Sequence, residues 1–306
     1  MTGATRLELV RGFAAAAAAG LAPRSVAAAS APMLRRPIPS TGELLPVIGL
    51  GTWRGFDVGP GPEARRPLRE VLAVLAEAGG TVVDSSPMYG ASEAVVGDLL
   101  AESDGRGRTF LATKVWTRGR EAGLEQMRQS LALLRTERID LMQVHNLLDW
   151  QTQLASARRL RDEGRVRLVG VTHYTSSAYA ELEAVMRSER LDAVQVNYAL
   201  DDRAAERRIL PLAADRGMAV IVNRPFGGGG LLGSLSRRPL PPEAAELGCG
   251  SWAQLLLKFA LGHPSVTCVI PGTSRAEHMR DNAGAGAGPL PDARQRDGLA
   301  RIVASG

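Results

Sequence analysis

Cysteine, lysine and aromatic residues are all scarce in this chain. Two cysteines in 306 residues, Cys249 and Cys268, build no disulfide framework, and their spacing fits no metal site. Cys268 lies in an apolar, strand-like run and reads as core. Aromatics make up 4% of the residues against 45% hydrophobic ones, so alanine, leucine and valine must fill the interior. No apolar run is long enough to span a bilayer, which argues against stable membrane insertion. No basic block carries interleaved aromatics, so the net charge of +5 reads as an arginine-rich surface and not as a nucleic-acid face. Lysine is the sharpest absence: of 37 basic residues, only Lys114 and Lys258 are lysine. Lys114 sits inside an apolar segment. An ammonium is a compact donor on a thin stem and fits beside a phenol where a planar guanidinium fork does not.

The first 31 residues differ from the rest. Arg6 and Arg11 precede an alanine run, and Ala27-Ala28-Ala29-Ser30-Ala31 offers small residues suited to a signal peptidase. Thr5-Arg6-Leu7-Glu8-Leu9-Val10-Arg11 resembles a twin-arginine export motif with Leu7 in place of the second arginine. Residues 1–31 are therefore expected to be a signal peptide that exports residues 32–306 to the periplasm. A silent signal would leave the protein in the cytoplasm.

From residue 33 the pattern becomes regular. Met33–Pro39 and Glu43–Gly49 flank Ser40-Thr41-Gly42, the signature of a hairpin. Eight short apolar runs then follow: Val47–Gly51, Thr81–Asp84, Thr109–Lys114, Ile139–His145, Val166–Thr172, Ala193–Asn197, Ala219–Asn223 and Val266–Ile270. Between them lie amphipathic stretches at Pro67–Ala78, Glu93–Ala101, Leu124–Leu134, Leu154–Glu163, Ala178–Arg187, Arg203–Asp215 and Trp252–Leu261, with a last helix at Asp292–Val303. Gly79, Gly164 and Gly217 stand where helices would end. Strands alternating with single helices imply parallel pairing through right-handed crossovers. The expected fold is an α/β (β/α)8 TIM barrel, its bottom closed by the N-terminal hairpin. Active sites in such barrels sit at the C-terminal strand ends.

Polar residues gather at those ends. Asp84, Lys114 and His145 end the second, third and fourth strands, Thr172-His173 the fifth, Asn197 the sixth and Asn223-Arg224 the seventh. Strand starts are plainer, with turn residues such as Gly80, Arg165 and Gly217. Tyr89 follows Asp84 by five positions. A phenol has a reference pKa of about 10, too high for ready proton donation at neutral pH. An ammonium beside it is expected to lower that value, and a carboxylate holds the ammonium charged. An imidazole can orient a substrate oxygen. Together Asp84, Tyr89, Lys114 and His145 form a proton-donating set for carbonyl reduction, worth about 10²–10⁴-fold in rate.

From about residue 38 to residue 285 the chain resembles an aldo/keto reductase. The resemblance rests on Gly49-Leu50-Gly51-Thr52-Trp53, Asp84-Ser85-Ser86-Pro87-Met88-Tyr89-Gly90, Thr113-Lys114 and Gly170-Val171-Thr172-His173-Tyr174. Gln195-Val196-Asn197-Tyr198, Arg224-Pro225-Phe226 and Ile270-Pro271-Gly272-Thr273-Ser274 complete it. It implies reduction of a small aldehyde or ketone with NADPH, Tyr89 as the acid, Lys114 and Asp84 as its tuners and His145 as the substrate-orienting group. It further implies Thr52 and Asp84 near the nicotinamide ribose, and Thr172, His173 and Gln195 at the carboxamide. His173 stands where the family more often has asparagine. A tyrosine often covers the nicotinamide near the end of strand seven, where this chain has Asn223-Arg224-Pro225-Phe226.

Two segments are candidate phosphate cradles. One is Phe226-Gly227-Gly228-Gly229-Gly230-Leu231; the other is Gly272-Thr273-Ser274-Arg275, ahead of a helix whose N-terminus favours anions. By the resemblance, Arg275 and His278 would read a 2′-phosphate, and Asp281 and Asn282 would face the adenine. The family often has a lysine where Gly272 stands, which leaves NADH open as a cofactor. Pocket walls are expected from Trp53, Trp116, Asn146 to Trp150 and the C-terminal tail. Two other readings compete: a cofactor-binding, redox-sensing module without turnover, and a barrel aldolase using Lys114 as a Schiff base.

Overall fold

The computed structural model describes residues 32–103 and 105–304. The expected signal peptide falls on residues 1–31, outside them. No helix among the described residues is long and apolar enough to cross a membrane.

The turn at Ser40-Thr41-Gly42 forms as expected: the Ile38 carbonyl accepts from the amides of Thr41 (3.1 Å) and Gly42 (2.8 Å). It joins β1 (Arg35–Pro37) to β2 (Leu44–Pro46), antiparallel with Arg36 opposite Leu45. The hairpin delivers Ile38 and Leu45 into one apolar cluster with Val82, Phe110, Leu141, Leu168, Ala219 and Cys268. It therefore plugs the floor of the barrel. Arg36 fastens it by donating to the carbonyls of His263 (3.1 Å) and Leu261 (2.7 Å).

Eight parallel strands follow: β3 (Leu50–Gly51), β4 (Val82–Asp84), β5 (Phe110–Val115), β6 (Ile139–His145), β7 (Val166–His173), β8 (Ala193–Asn197), β9 (Ala219–Asn223) and β10 (Cys268–Val269). Each pairs with its neighbour in sequence. Bridges from Ile48 to Val269 and from Gly51 to Gly272 join the first strand to the last. The fold is a (β/α)8 barrel. Around it run α1 (Pro62–Glu77), α2 (Ser92–Glu102), α3 (Arg120–Leu133), α4 (Trp150–Asp162), α5 (Tyr179–Ser188) and α6 (Ile209–Asp215). Then come α7 (Gly230–Leu235), α8 (Pro242–Glu246), α9 (Trp252–Leu261), α10 (Ala276–Gly284) and α11 (Ala293–Ala304).

Prolines account for two differences from the sequence reading. The helix expected from Pro67 starts at Pro62, because Pro67 lies in an exposed early turn where water can take the carbonyl it leaves unbonded. The single helix expected over Arg203–Asp215 divides into a 3₁₀ turn at Ala204–Arg207 and α6. Restarting at Ile209 puts Pro211 in a first turn, where no amide donor is needed. Gly79, Gly164 and Gly217 adopt positive φ just past α1, α4 and α6, as their positions imply. The last helix is set by a capping box: Asp292 Oδ1 accepts from the Gln295 amide (2.8 Å), and Gln295 Oε1 accepts from the Asp292 amide (3.0 Å).

Candidate active site

Strand alternation decides which side chains meet. Val82, Phe110, Ala112, Leu141, Leu168, Ala193, Ala219, Ile221 and Cys268 fill the barrel interior. Asp84, Lys114, Gln143, His145, Thr172, Gln195 and Asn223 have the same parity, nearer the C-terminal ends. The apolar interior thus ends in a polar deck.

Asp84 is the hub of that deck. Its Oδ2 accepts from Lys114 Nζ (2.6 Å), and its Oδ1 accepts from Gln195 Nε2 (2.8 Å) and Gln143 Nε2 (3.2 Å). Lys114 also donates to the Ser85 carbonyl (2.6 Å). Gln195 Oε1 accepts from Thr172 Oγ1 (3.2 Å) and Asn223 Nδ2 (3.4 Å). Thr52 Oγ1 donates to Ser85 Oγ (3.0 Å). The network draws on six strands, and in so dry a place each bond strengthens its neighbours.

Tyr89 lies over the ammonium. Lys114 Nζ is 5.0 Å from the phenol ring centre. The His145 ring stands edge-on to Tyr89, centroids 6.1 Å apart and planes at 85°. The turn carrying Tyr89 is held by Gly90. It has a φ of +59°, and a Cβ there would sit 2.2 Å from Asp57 Oδ1, which accepts the Ala91 amide (2.9 Å).

Burial is the largest influence on Lys114 and lowers its pKa, but Asp84 and Tyr89 outweigh it and hold the ammonium above its ordinary value. Burial is also the largest influence on Tyr89 and raises its pKa; Lys114 pulls the other way, and the phenol stays above its usual value. Contrary to the sequence expectation, the ammonium does not bring the phenol below its reference, because the partly buried ring loses hydration of its anion. Tyr89 keeps its proton at neutral pH. Burial, then Lys114 and His173, hold His145 down to about 3. Its imidazole is neutral, able to hydrogen-bond but carrying no charge.

A cleft of about 790 Å³ opens above the deck. Its mouth is apolar: Trp53, Met88, Trp116 and Tyr174 are each 40–49% exposed around it. Arg224, at φ +49°, lies 5.6 Å from the Tyr174 ring centre. Its guanidinium lies against Gly228, where a Cβ would come within 2.7 Å of Nη2. Gly228 itself has φ +69°, so no other residue fits without strain.

A family model described as the Aldo/keto reductase family matches residues 47–297. The chain belongs to the aldo/keto reductase family. It is 30% identical over 248 residues to the Escherichia coli (strain K12) methylglyoxal reductase YeaE, covering 78% of this chain and 84% of that one. It is 28% identical over 249 residues to the NADH-specific methylglyoxal reductase of the same organism, covering 69% and 73%. An aldo-keto reductase from Klebsiella pneumoniae, solved in complex with NADPH, superposes with a TM-score of 0.75 at 26% identity, covering 89% and 96%. The protein is accordingly an oxidoreductase acting on small carbonyl compounds.

The reductase brings most of the sequence-predicted residues to its cleft. Thr52, Trp53, Asp84, Tyr89, Trp116, His145, Asn146, Thr172 and Gln195 line it, with Arg224, Pro225, Phe226, Gly228, Thr273 and Ser274. Lys114 lies beneath, 1% exposed, and does not reach the cleft. A charged, buried lysine bonded to Asp84 is no Schiff-base nucleophile, so the aldolase reading fails. Lys258 is also 1% exposed and donates to the carbonyls of Leu247 (2.6 Å) and Pro289 (3.1 Å). Lysine scarcity therefore marks buried ammonium sites, only one of which adjoins the cleft.

Several other expected residues do not line the cleft. His173 has the outward parity of β7; its Nδ1 faces Thr175 and its ring stacks on Tyr174 (5.7 Å). Gly227 faces the Asp201 carboxylate, and Leu231 is buried in the outer core. Asp281 accepts from Ser251 Oγ (2.7 Å) and Gln254 Nε2 (2.8 Å), tying α10 to α9; Asn282 is buried, and neither lines the cleft. His278 and Arg275 are exposed, and Arg275 is paired with Glu277 (2.5 Å). Among the described residues the tail does not line the cleft: α11 docks through Arg296 onto Tyr198 Oη (2.8 Å) and Glu206 (3.0 Å). The strand starts are not plain either. Arg167 joins Glu43 to Asp140 (2.7 Å) there, fastening the plug to the barrel.

Gln143 and Glu93 escaped the sequence reading, and Asn223 and Ser86 stand there only within rim and motif runs, without a role. Strand parity could have found Gln143 and assigned Asn223. Glu93 is 1% exposed and accepts from Thr113 Oγ1 (2.5 Å) and Ser130 Oγ (3.1 Å) on the outer side of β5.

Proposed function

We propose that this reductase converts small aldehydes or ketones to alcohols using NADPH, with NADH also accepted, and that Tyr89 is the proton donor. The observation that carries this reading is the Asp84–Lys114–Tyr89 network under the cleft floor, with a neutral His145 beside the phenol. The Klebsiella relative was solved with NADPH and an Escherichia coli relative is named NADH-specific, which supports both cofactors. Methylglyoxal, the substrate in two relatives' names, is the first compound to try.

The residues present fit a nicotinamide dinucleotide. Asn146 Oδ1 and Asn223 Oδ1 are buried without partners, and both residues line the cleft. Free acceptors of this kind suit the amide donors of a carboxamide. The backbone around Gly228 and the Arg224 guanidinium offer a diphosphate a close approach and a countercharge, and Thr273 and Ser274 precede the N-terminus of α10. When bound, NADPH supplies a hydride to the carbonyl carbon. Tyr89 gives its proton to the carbonyl oxygen, Lys114 stabilises the phenolate left behind, and Asp84 keeps Lys114 charged. His145 orients the oxygen, and the aromatic mouth limits water.

Assay of the chain without residues 1–31 against a carbonyl panel with each cofactor tests the proposal. Cofactor binding without turnover on any carbonyl would make the protein a binding module instead. Arg275→Ala should raise the KM for NADPH about tenfold and that for NADH less than about threefold, since a charge-assisted bond to the extra phosphate is lost. Glu277→Gln frees Arg275 and should shift the ratio the opposite way. Equal changes for both cofactors would remove Arg275 from that role. Export through residues 1–31 is a separate proposal, decided by fractionating a tagged full-length chain.

The pH profile is a second check. Tyr89 donates only while protonated and its pKa is raised, so reduction should hold level through neutral pH and fall only on the alkaline side. His145, held to about 3, adds no step near the ordinary histidine pKa of about 6.5. A kcat/KM profile with an inflection there would contradict a neutral His145.

A further inference from the structure

Ser86 is wholly buried between Tyr89 and His145, and nothing in the proton-donating set uses it. Its Oγ lies 3.2 Å from His145 Nδ1 and accepts the Met88 amide at 3.3 Å. A serine hydroxyl has one proton to give. Buried, it must place that proton or lose a bond's worth of stability. Among the described residues its one recorded acceptor is His145 Nδ1. A neutral imidazole carries one N–H, on the nitrogen opposite the one that accepts.

From this geometry we infer that Ser86 is a positioning residue: its hydroxyl donates to Nδ1 and fixes His145 as the Nε2–H tautomer, presenting that N–H to the cleft beside the Tyr89 hydroxyl. Two donors then converge on one substrate oxygen. In the opposite tautomer the Ser86 proton has no recorded acceptor, and Nε2 becomes an acceptor that repels a carbonyl oxygen and competes for the Tyr89 proton. The turn itself serves this end. Lys114 holds the Ser85 carbonyl and the Met88 amide holds Ser86 Oγ, so the hydroxyl is aimed before any substrate arrives.

The inference deepens the proposed reduction and rests on it for its consequence, but the tautomer is measurable in the free protein. Two-bond ¹H–¹⁵N correlation spectra of protein labelled at its four histidines report the state of each ring. Wild type at neutral pH should show His145 wholly as Nε2–H. Ser86→Ala should give a mixture with the Nδ1–H form, and Ser86→Thr, which keeps the hydroxyl, should restore the wild-type pattern. Kinetically, Ser86→Ala should raise the carbonyl KM and lower kcat, about tenfold together in kcat/KM as befits one lost orienting bond, with the cofactor Kd unchanged. Ser86→Thr should recover most of that loss. A wild-type His145 in the Nδ1–H form, or an unmixed Nε2–H form in Ser86→Ala, would overturn the inference. Correct spectra on a protein that reduces no carbonyl would leave the tautomer assignment standing and count against the reductase reading instead.

Discussion

Replacing Tyr89 with phenylalanine is expected to lower kcat for carbonyl reduction by about 10²–10⁴-fold, the range for a lost general acid. The ring stays, so its edge-on contact with His145 and its place over Lys114 survive. The cofactor Kd should move by less than about twofold, since the phenol oxygen takes no part in the proposed nucleotide contacts. Steady-state kinetics with a reactive aldehyde and fluorescence titration of the cofactor separate the two effects. Near-wild-type turnover would remove Tyr89 from the chemistry.

The second large effect is expected at Lys114. Lys114→Arg keeps the charge but brings a planar fork into a site packed around a tetrahedral donor, with Asp84 Oδ2 and the Ser85 carbonyl both 2.6 Å from Nζ. Overpacking of this kind costs about 1–3 kcal/mol of stability. It also moves the cation from beneath the phenol, so kcat should fall by about 10²-fold or more. Lys114→Met tests the structural half. It leaves the Asp84 carboxylate buried without its cation, which is typically worth about 3–5 kcal/mol, and Tm should fall further than in Lys114→Arg. An arginine variant with wild-type kcat would show that charge alone suffices.

Much of this architecture is legible in the chain because barrels repeat one physical rule. Alternation within each strand sends Val82 and Asp84, or Ala112 and Lys114, to the same side, and the last inward residue of each strand meets the rim. Strand number and the places of Asp84, Lys114 and His145 could be read that way, while the hairpin plug came from its turn and Tyr89 from its motif. The first and last strands shrank to Leu50–Gly51 and Cys268–Val269. Pro46 and Pro271 border them and cannot donate to a ladder, so the closure relies on a few bonds such as Gly49 N to Val269 O (2.9 Å). The bonds of Gln195 and Gln143 to Asp84 join residues 111 and 59 positions apart, and no local pattern announces such pairs. Asp281 is a like case: its bonds to Ser251 and Gln254 at the start of α9 span 30 and 27 positions.

The most direct test of the central claim follows the hydride and the proton in one tube. Wild-type protein without residues 1–31 is mixed in ordinary water with an aldehyde and NADPH deuterated at the transferable position of its nicotinamide C4, and the alcohol is analysed by mass spectrometry. The expected product carries one deuterium at the former carbonyl carbon, with Tyr89→Phe giving the same labelled alcohol at a rate lower by about 10²–10⁴-fold. An alcohol without deuterium at that carbon, or equal rates in the two proteins, would contradict it.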